Sequence, residues 1–244
     1  MAFKSKRRTR RRLPDDHALF SKLSVACKPI MSGNYSDFGY TAPGPGNANV
    51  GQQLAERFVD LARRLNGVEY ALDLGCGNGY LGSRLGASGL RITGVDTSES
   101  GIAIANQNYA TDKVRYVRAE IGPDLVNLLT AEHRFDLVIS SDVIEHLYRP
   151  AALIDTAASL LRPGGYLIVG TPYHGYLKNL AISVLNEWDA HHGVHWDGGH
   201  IKFFSERTLR ALVVQHGFKQ ARFHFYGRMP WLWKHMICVA QRDT

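Results

Sequence analysis

Three glycines at alternate positions and one aspartate could form a site for a nucleotide-bearing cofactor. Gly75, Gly77 and Gly79 follow a short apolar run and precede a helix-like segment that begins at Tyr80. Glycine allows positive φ and brings bare backbone against a ligand, while the N-terminus of the next helix offers unpaired N–H groups to a negative group. Asp96 stands 21 residues after Gly75, where an acidic side chain can accept both hydroxyls of a ribose. These residues together predict a nucleotide cofactor.

Two glycine patterns overlap in this turn, and they indicate different cofactors. Residues 77–82 satisfy G-x-G-x-x-G, the fingerprint of NAD-type sites, whose glycines admit a pyrophosphate. Read from Asp73, the turn is D-x-G-x-G-x-G, which resembles motif I of the class I S-adenosylmethionine-dependent methyltransferases. The resemblance implies S-adenosyl-L-methionine as methyl donor, which leaves as S-adenosyl-L-homocysteine.

The same resemblance implies a set of cofactor contacts. Asp96 would hold the ribose hydroxyls, Asp73 would approach the methionine amino group, and Glu120 would accept from the adenine amino group, where many relatives have Asp. Each residue also has a plainer role: a helix cap for Asp96, a turn-stabilising carboxylate for Asp73 and a solvated loop acid for Glu120. The predicted cofactor set is Asp73, Gly75, Cys76, Gly77, Gly79, Asp96, Thr97, Glu120 and Ser141.

The segment after the fourth predicted strand carries the candidate catalytic groups. Methyl transfer from a sulfonium is an in-line displacement, so alignment of the acceptor with the methyl carbon supplies most of the rate. A hydroxyl acceptor must also lose a proton, and an imidazole with a pKa of about 6.5 can take it near neutral pH. We therefore predict His146 as the base, with Glu145 as a further catalytic candidate. The alternative role of His146 is hydrogen bonding at the strand–helix junction.

A second histidine, His200, is a candidate for acceptor contact. It lies in Gly199–Phe204, which is similar to the G-H-x-[RK]-x-[FY] segment that many small-molecule methyltransferases place beside the acceptor pocket. The Glu-His pair after the fourth strand, with the cofactor motifs, resembles the ubiquinone-biosynthesis O-methyltransferases over about residues 50 to 240. The resemblance implies an enzyme that methylates a small molecule, with oxygen as the favoured acceptor atom.

Metal binding is a minority alternative in two places. In some of those relatives acids and a histidine here are associated with a divalent metal, which would map onto Asp142, Glu145 and His146, although this chain has Asp where they tend to have Glu. His191 and His195 would share a helix face and could contribute to a zinc site, but a glycine lies between them and no third ligand is fixed. We therefore predict no metal ligands.

Repeated strand–helix units must position these groups. Apolar runs predict strands at about 69–74, 90–95, 114–118, 135–140 and 165–170, and helical patterns lie around 80–87, 98–108, 123–131 and 151–161. A further helix is predicted from Val50, and Arg162–Gly165 is predicted as a loop that reverses the chain after a helix. Such β-α alternation indicates a parallel sheet with helices on both faces.

The end of the chain departs from this alternation. Ser205 to His216 predicts a helix, and Phe218–Tyr226 and His235–Ala240 follow as two strands with no helix between them, so they should pair antiparallel. This resembles the methyltransferase sheet, whose last strand is antiparallel, and differs from a dinucleotide-binding domain. The predicted fold class is α/β: a Rossmann-like, seven-stranded, mostly parallel sheet with the last strand antiparallel and helices on both faces.

The predicted organisation is one domain with an N-terminal extension. Residues 1–48 form a basic tail and irregular arm, and residues 49–244 form the methyltransferase domain, with an acceptor lid at about 172–204. The lid's aromatic surface is expected from Tyr173, Tyr176, Trp188 and Trp196. Residues 176–188 are also apolar enough to lie on a membrane surface as an amphipathic helix, although lid packing is the simpler role.

The net charge of +7 is concentrated in the tail. Residues 4–12 supply seven positive charges, and the remaining chain has 22 basic and 22 acidic residues. The tail could contact nucleic acid or anionic lipid, but a solvated terminus is the favoured interpretation. Three widely spaced cysteines and the lack of a long apolar run favour a reducing, cytoplasmic location, with peripheral membrane contact as an alternative.

Other functional classes stay open but less favoured. An RNA or DNA methyltransferase could use the basic tail, yet the fourth strand is followed neither by an Asn/Asp-Pro-Pro-aromatic string nor by Pro-Cys. An NAD-linked oxidoreductase is opposed by the position of Asp73 and by the antiparallel ending. A cofactor-binding protein without catalysis is also compatible with these motifs.

Overall fold

The computed structural model describes residues 39–45, 48–130, 134–192 and 198–243. Contacts divide the chain into Met1–Gly33 and Asn34–Thr244, and every described residue lies in the second unit. Most of the predicted tail and arm therefore falls outside the described residues, and the domain boundary near residue 48 stays a prediction.

In the described part of the chain, seven strands form one sheet: β1 (Tyr70–Leu74), β2 (Arg91–Asp96), β3 (Val114–Arg118), β4 (Phe135–Ser141), β5 (Leu161–Pro172), β6 (Phe218–Tyr226) and β7 (His235–Arg242). Their order is β3-β2-β1-β4-β5-β7-β6. Neighbouring pairs among β1 to β5 are parallel, whereas β7 is antiparallel to both β5 and β6. The predicted fold class is confirmed, including the antiparallel last strand.

Helices cover both faces of this sheet: α1 (Ala48–Arg63), α2 (Tyr80–Ala87), α3 (Glu99–Tyr109), α4 (Pro123–Thr130), α5 (Pro150–Leu160), α6 (Tyr176–Val184), α7 (Trp188–His192) and α8 (Glu206–Gln215). Buried residues of α1, α2 and α3 form one apolar cluster with the sheet. Those of α4, α5 and α8 form a second. Side chains alternate between the two faces of a strand, so neighbouring residues of a central strand pack into different clusters. Ala71 and Leu72 of β1 are an example.

The start of β5 differs from the prediction. Residues 162–165 were expected to form a loop, but β5 begins at Leu161, which pairs with Phe135 of β4. The next paired residues are Leu137 and Tyr166, so the extra residues of β5 form a bulge, and Gly164 within it has φ 71°. The glycines therefore bend a strand that follows α5 directly.

The segment between β5 and α8 contains the short helices α6 and α7, in the predicted lid. Ile182 of α6 is buried, whereas Tyr176, Leu180 and Val184 are exposed on the same helix. Among the described residues, no helix combines the length and the apolar character that crossing a bilayer requires.

Candidate functional site

The glycine loop, Gly75 to Gly79, joins β1 to α2 at the carboxyl edge of the sheet. The N–H groups of Gly75 and Cys76 donate to the Val95 carbonyl of β2, at 2.8 and 3.0 Å. Gly75 and Gly79 have φ of 80° and 83°, a conformation that side chains other than glycine's rarely allow. The loop is thus fixed to the neighbouring strand and leads directly into a helix N-terminus.

Asp96, at the end of β2, also binds this loop through its side chain. Its Oδ2 accepts from the Gly77 N–H at 2.8 Å, and its Oδ1 accepts from the Ser98 N–H at 2.8 Å. The hydroxyl of Ser98 itself caps α3 by accepting from the Gly101 N–H. Since each carboxylate oxygen has a second lone pair, Asp96 can still accept hydroxyl groups from a ligand.

Asp73 lies on β1 beneath the loop and is 1% exposed. Its Oδ2 has no hydrogen-bond partner among the described residues. Burial, and then the nearby Asp96 carboxylate, raise the pKa of Asp73 to about 7. A positively charged ligand group would favour its ionised form and supply the missing partner.

The other predicted cofactor residues differ in what they offer. The Cys76 side chain is part of the buried core, where burial raises its pKa well above the ordinary value, so only its backbone can face a ligand. Thr97 and Glu120 are exposed, after β2 and β3 respectively. Ser141 ends β4, and its hydroxyl donates to Asp142 at 3.2 Å. These residues therefore lie at the carboxyl edge of the sheet, and the Cys76 thiol is buried; their contacts with a cofactor stay a prediction.

Two tyrosines that the sequence did not single out shape the loop. The Tyr116 hydroxyl, on β3, donates to the Gly79 carbonyl at 2.7 Å. Tyr40 lies against Gly77 and Gly101, where any added Cβ atom would meet its ring. Both contacts join distant parts of the chain, and no local sequence pattern marks them.

The predicted catalytic residues Glu145 and His146 lie in a 3₁₀ turn, Ile144–His146, after β4. Glu145 is 1% exposed, and its Oε2 accepts from the Thr171 hydroxyl at 2.9 Å. Its Oε1 has no hydrogen-bond partner among the described residues. Burial, and then Asp142, raise the pKa of Glu145 well above the ordinary value.

The backbone of Glu145 brings His200 to the same place. Its carbonyl accepts from the N–H groups of Ile201 and Lys202, at 3.0 and 2.9 Å. The rings of His146 and His200 lie 4.9 Å apart between centroids, in an edge-to-face arrangement. Burial, and then His146, lower the pKa of His200 to about 4, so His200 is neutral near pH 7. The two histidines that the sequence proposed independently are neighbours.

The sequence named Asp142 only as a minority metal ligand, and it missed the partner of this residue, His235. His235 begins β7, which its register places opposite Pro172 at the end of β5, and its Nε2 contacts Oδ1 of Asp142. Asp142 has φ 55°, rare for a non-glycine residue. Burial opposes ionisation of Asp142, but its contact with His235, together with Ser141 and His200, holds the pKa below the ordinary value.

One group of side chains at this edge could hold a metal ion. Ligand atoms of Glu145, His146 and His200 all lie within 4.8 Å of one another. The minority metal hypothesis named Asp142 with Glu145 and His146, whereas this group contains His200 in place of Asp142. One carboxylate and two imidazoles form a donor set that divalent transition-metal ions accept.

The predicted lid does not present all of its aromatic residues to a ligand. Tyr173 is buried, and its ring packs against those of Phe225 and Trp233 at 5.5 and 5.3 Å between centroids. Tyr176 is 80% exposed, and Trp196 and His195 lie outside the described residues. The expected aromatic surface is therefore divided between the core and solvent.

Three histidines, His174, His191 and His192, lie close together in the lid, and we call them the lid histidines. Burial, and then the Lys178 ammonium, lower the pKa of His174 to about 3 and that of His191 to about 4. The same two causes lower the pKa of His192. All three imidazoles are therefore predominantly neutral at pH 7.

Residues 47–221 match a protein family described as a methyltransferase domain. A ubiquinone biosynthesis O-methyltransferase from Coxiella burnetii is 30% identical over 156 residues, which cover 54% of this chain and 65% of the relative. One from Caulobacter sp. is 36% identical over 151 residues, covering 59% and 56%. The chain thus spans less than two thirds of the length of these curated relatives.

Solved structures share the fold at lower identity. The magnesium protoporphyrin IX methyltransferase from Synechocystis PCC 6803, with bound SAH, has a TM-score of 0.59 and 23% identity, and the match covers 79% of this chain and 83% of that one. The N-methyltransferase NodS from Bradyrhizobium japonicum has a TM-score of 0.58 and 17% identity, with coverages of 80% and 88%. At these identities the structures support the fold alone.

Proposed function

The chain belongs to the class I S-adenosylmethionine-dependent methyltransferases. We propose that it binds S-adenosylmethionine at the glycine loop and methylates a small molecule, with oxygen as the favoured acceptor atom. The observation that carries the cofactor assignment is the joint position of Asp96 and Asp73 around that loop. Asp96 retains acceptor capacity for ribose hydroxyls, and Oδ2 of Asp73, which has no partner among the described residues, suits the positively charged amino group of the methionine part.

The acceptor is proposed to react at the same edge of the sheet, after the neighbouring strand β4, where His146 and His200 meet. In the proposed step the acceptor oxygen forms a bond to the methyl carbon while the carbon–sulfur bond breaks, and its electron pair stays on sulfur. The acceptor proton passes to the His146 imidazole. His200 lies beside that base, and Glu145 orders the turn through Thr171 and through the chain at Ile201. The acceptor molecule is therefore expected between these histidines and the lid.

Binding of the cofactor can be tested with S-adenosylhomocysteine and NAD by titration calorimetry. We expect the unaltered chain to bind the homocysteine product. Asp96→Ala should weaken that binding at least about 10-fold, because charge-assisted hydrogen bonds contribute roughly 1.5–3 kcal/mol each. Glu99→Ala, three residues away in an exposed ion pair with Arg118, is the matched control and should bind normally. Binding of NAD in place of the product, or unchanged affinity of Asp96→Ala, would refute the assignment.

Methyl transfer can be tested with a panel of hydroxylated aromatic compounds, by mass spectrometry of the products. His146→Asn should lower kcat by about 10²–10⁴-fold, the usual range for loss of a general base, and leave product affinity unchanged. His216→Asn, at the C-terminus of α8 beside Asp155, is the control. A catalytic rate that survives the loss of His146 would remove its role as base, and methylation only of nitrogen would refute the O-methylation proposal.

A further inference from the structure

The lid histidines form a second cluster of metal-ligating side chains, separate from Glu145, His146 and His200. His174 follows β5, and His191 and His192 are the last two residues of α7. Each offers a ring nitrogen that lies within 4.8 Å of those of the other two. The centroid of the His174 ring lies 5.9 Å from that of His191 and 5.5 Å from that of His192. Residues 17 positions apart therefore converge on one point.

The His192 ring is fixed in position, and it has no hydrogen-bond partner among the described residues. Both of its ring nitrogens are buried and unpaired within the part of the chain that the structure describes. Its ring stacks on Trp188 at 4.8 Å between centroids and meets Phe203 edge-on at 4.6 Å, so packing fixes its position. A buried polar group without a partner costs about 1–3 kcal/mol. Aromatic packing accounts for the ring but leaves its nitrogens unexplained.

His174 is oriented by a second contact. Its Nδ1 lies 3.4 Å from Oδ1 of Asn179 on α6. The backbone N–H of Asn179 donates to the Gly175 carbonyl at 3.0 Å, which fixes this part of the helix. With the Asn179 oxygen as acceptor, Nδ1 donates this hydrogen bond and Nε2 keeps the lone pair that a metal ion would bind. A hydrogen bond at the far nitrogen is how proteins usually fix the tautomer of a metal-bound histidine.

We propose that His174, His191 and His192 bind a zinc-type divalent transition-metal ion, with no fourth protein ligand among the described residues. Three imidazoles are the protein ligands of several open zinc sites. Zinc–nitrogen distances of about 2.0–2.1 Å put tetrahedral ligand nitrogens about 3.4 Å apart, so the rings must approach by at most about 1.5 Å from their positions here. The site goes beyond the proposed methyl transfer and does not depend on it.

Lys178 is the charge that this site must accommodate. It is 2% exposed, and its Nζ donates to the Tyr173 carbonyl at 2.7 Å, next to His174 in the chain. Because three neutral imidazoles leave the ion's double charge uncompensated, the ammonium repels the bare ion and favours an anionic oxygen as the fourth ligand. Lys178→Met should therefore tighten binding of the ion alone, whereas loss of a ligand should weaken it.

The experiment is a titration of the metal-free full chain with Co²⁺, followed by visible absorption, with Zn²⁺ competition. We expect an intense tetrahedral cobalt spectrum that Zn²⁺ removes. His192→Phe keeps a ring against Trp188 and Phe203 but removes both nitrogens, so it should weaken affinity at least about 100-fold. Asn179→Leu should weaken it by about 10–100-fold, as loss of such an orienting partner does. His216→Phe, outside both histidine clusters, is the matched control.

Other outcomes separate the possibilities. A cobalt signal that survives His192→Phe but is lost in His146→Ala would assign the ion to the other cluster and overturn the proposal. Absence of a tetrahedral spectrum, or Lys178→Met binding more weakly than the unaltered chain, would also overturn it. Calorimetry with S-adenosylhomocysteine on the same samples should be unaffected by His192→Phe. A chain that binds cobalt but not this product would contradict the proposed function alone.

Discussion

Asp73 is a buried carboxyl whose ionisation the fold opposes, which gives stability a defined pH dependence. Its pKa is about 7 in the folded chain, against an ordinary 3.8. The unfolded chain therefore loses this proton at lower pH, and the stability contributed by Asp73 is full below about pH 4 and falls as the pH rises towards 7. Asp73→Asn removes this loss. We expect it to raise the free energy of unfolding by up to about 4 kcal/mol at pH 7 and to change little at pH 4.

The measurement is urea denaturation of the ligand-free chain at both pH values. Asp112→Asn, on an exposed turn before β3, is the matched control and should differ from the unaltered chain by less than about 0.5 kcal/mol at either pH. An Asp73→Asn stability gain that is equal at pH 4 and pH 7 would exclude a titrating Asp73.

Residues of the loop could be predicted because their spacing is local, whereas residues that meet through the sheet could not. Asp73, Asp96 and the glycines fall within one β-α-β unit. His235 lies 93 residues after Asp142 in the chain. The two meet only because the antiparallel register of β7 places His235 opposite Pro172, at the end of β5. Similarly, His174 has no sequence spacing that relates it to His192.

The segment 39–45 is held on the glycine loop by Asn78. Its side chain donates to the carbonyls of Ala42 and Gly44, at 3.0 and 2.8 Å, and the Tyr40 N–H donates to the Ser100 hydroxyl at 3.1 Å. Asn78→Ala removes two hydrogen bonds of about 1 kcal/mol each, so the segment should open roughly 30-fold more often. Hydrogen exchange of peptides that contain Tyr40 should therefore become faster.

The control for this exchange experiment is Asn106→Ala. Asn106 also donates to two carbonyls, those of Ile102 and Tyr116, but it lies on α3 and neither hydrogen bond involves residues 39–45. Exchange near Tyr40 should keep its original rate in this variant. Equal protection of Tyr40 in the unaltered chain and in Asn78→Ala would mean that other contacts hold the segment.

Element boundaries were predictable where apolar periodicity and helix signals coincide. The Ser205 start of α8 is an example, because its hydroxyl accepts from the Thr208 N–H and the Thr208 hydroxyl accepts from the Ser205 N–H. The bulge in β5 was not predictable, since glycines favour a loop as readily as a bent strand. Its strand character depends on pairing with Phe135, which lies on another element.

At the scale of the whole molecule, α1 packs on the sheet where β5 has no side chain. A Cβ added to Gly170 would lie 2.5 Å from the ring of Phe58, which is fully buried. Gly170→Ala should therefore lower the free energy of unfolding by about 1–3 kcal/mol through overpacking. Gly122→Ala, where an added Cβ meets nothing within 4 Å, is the matched control. Equal denaturation midpoints for the two variants would show that α1 can shift freely.

The strand order has a consequence for synthesis. A ribosome makes β6 before β7, yet β7 lies between β6 and the rest of the sheet, and among the described strands it alone pairs with β6. Until β7 emerges, the nascent chain exposes the edge of β5 and leaves β6 unpaired, and open edges of this kind favour association between chains. Folding intermediates in which β7 has not yet docked should therefore be the states in which this protein associates most readily with other copies of itself.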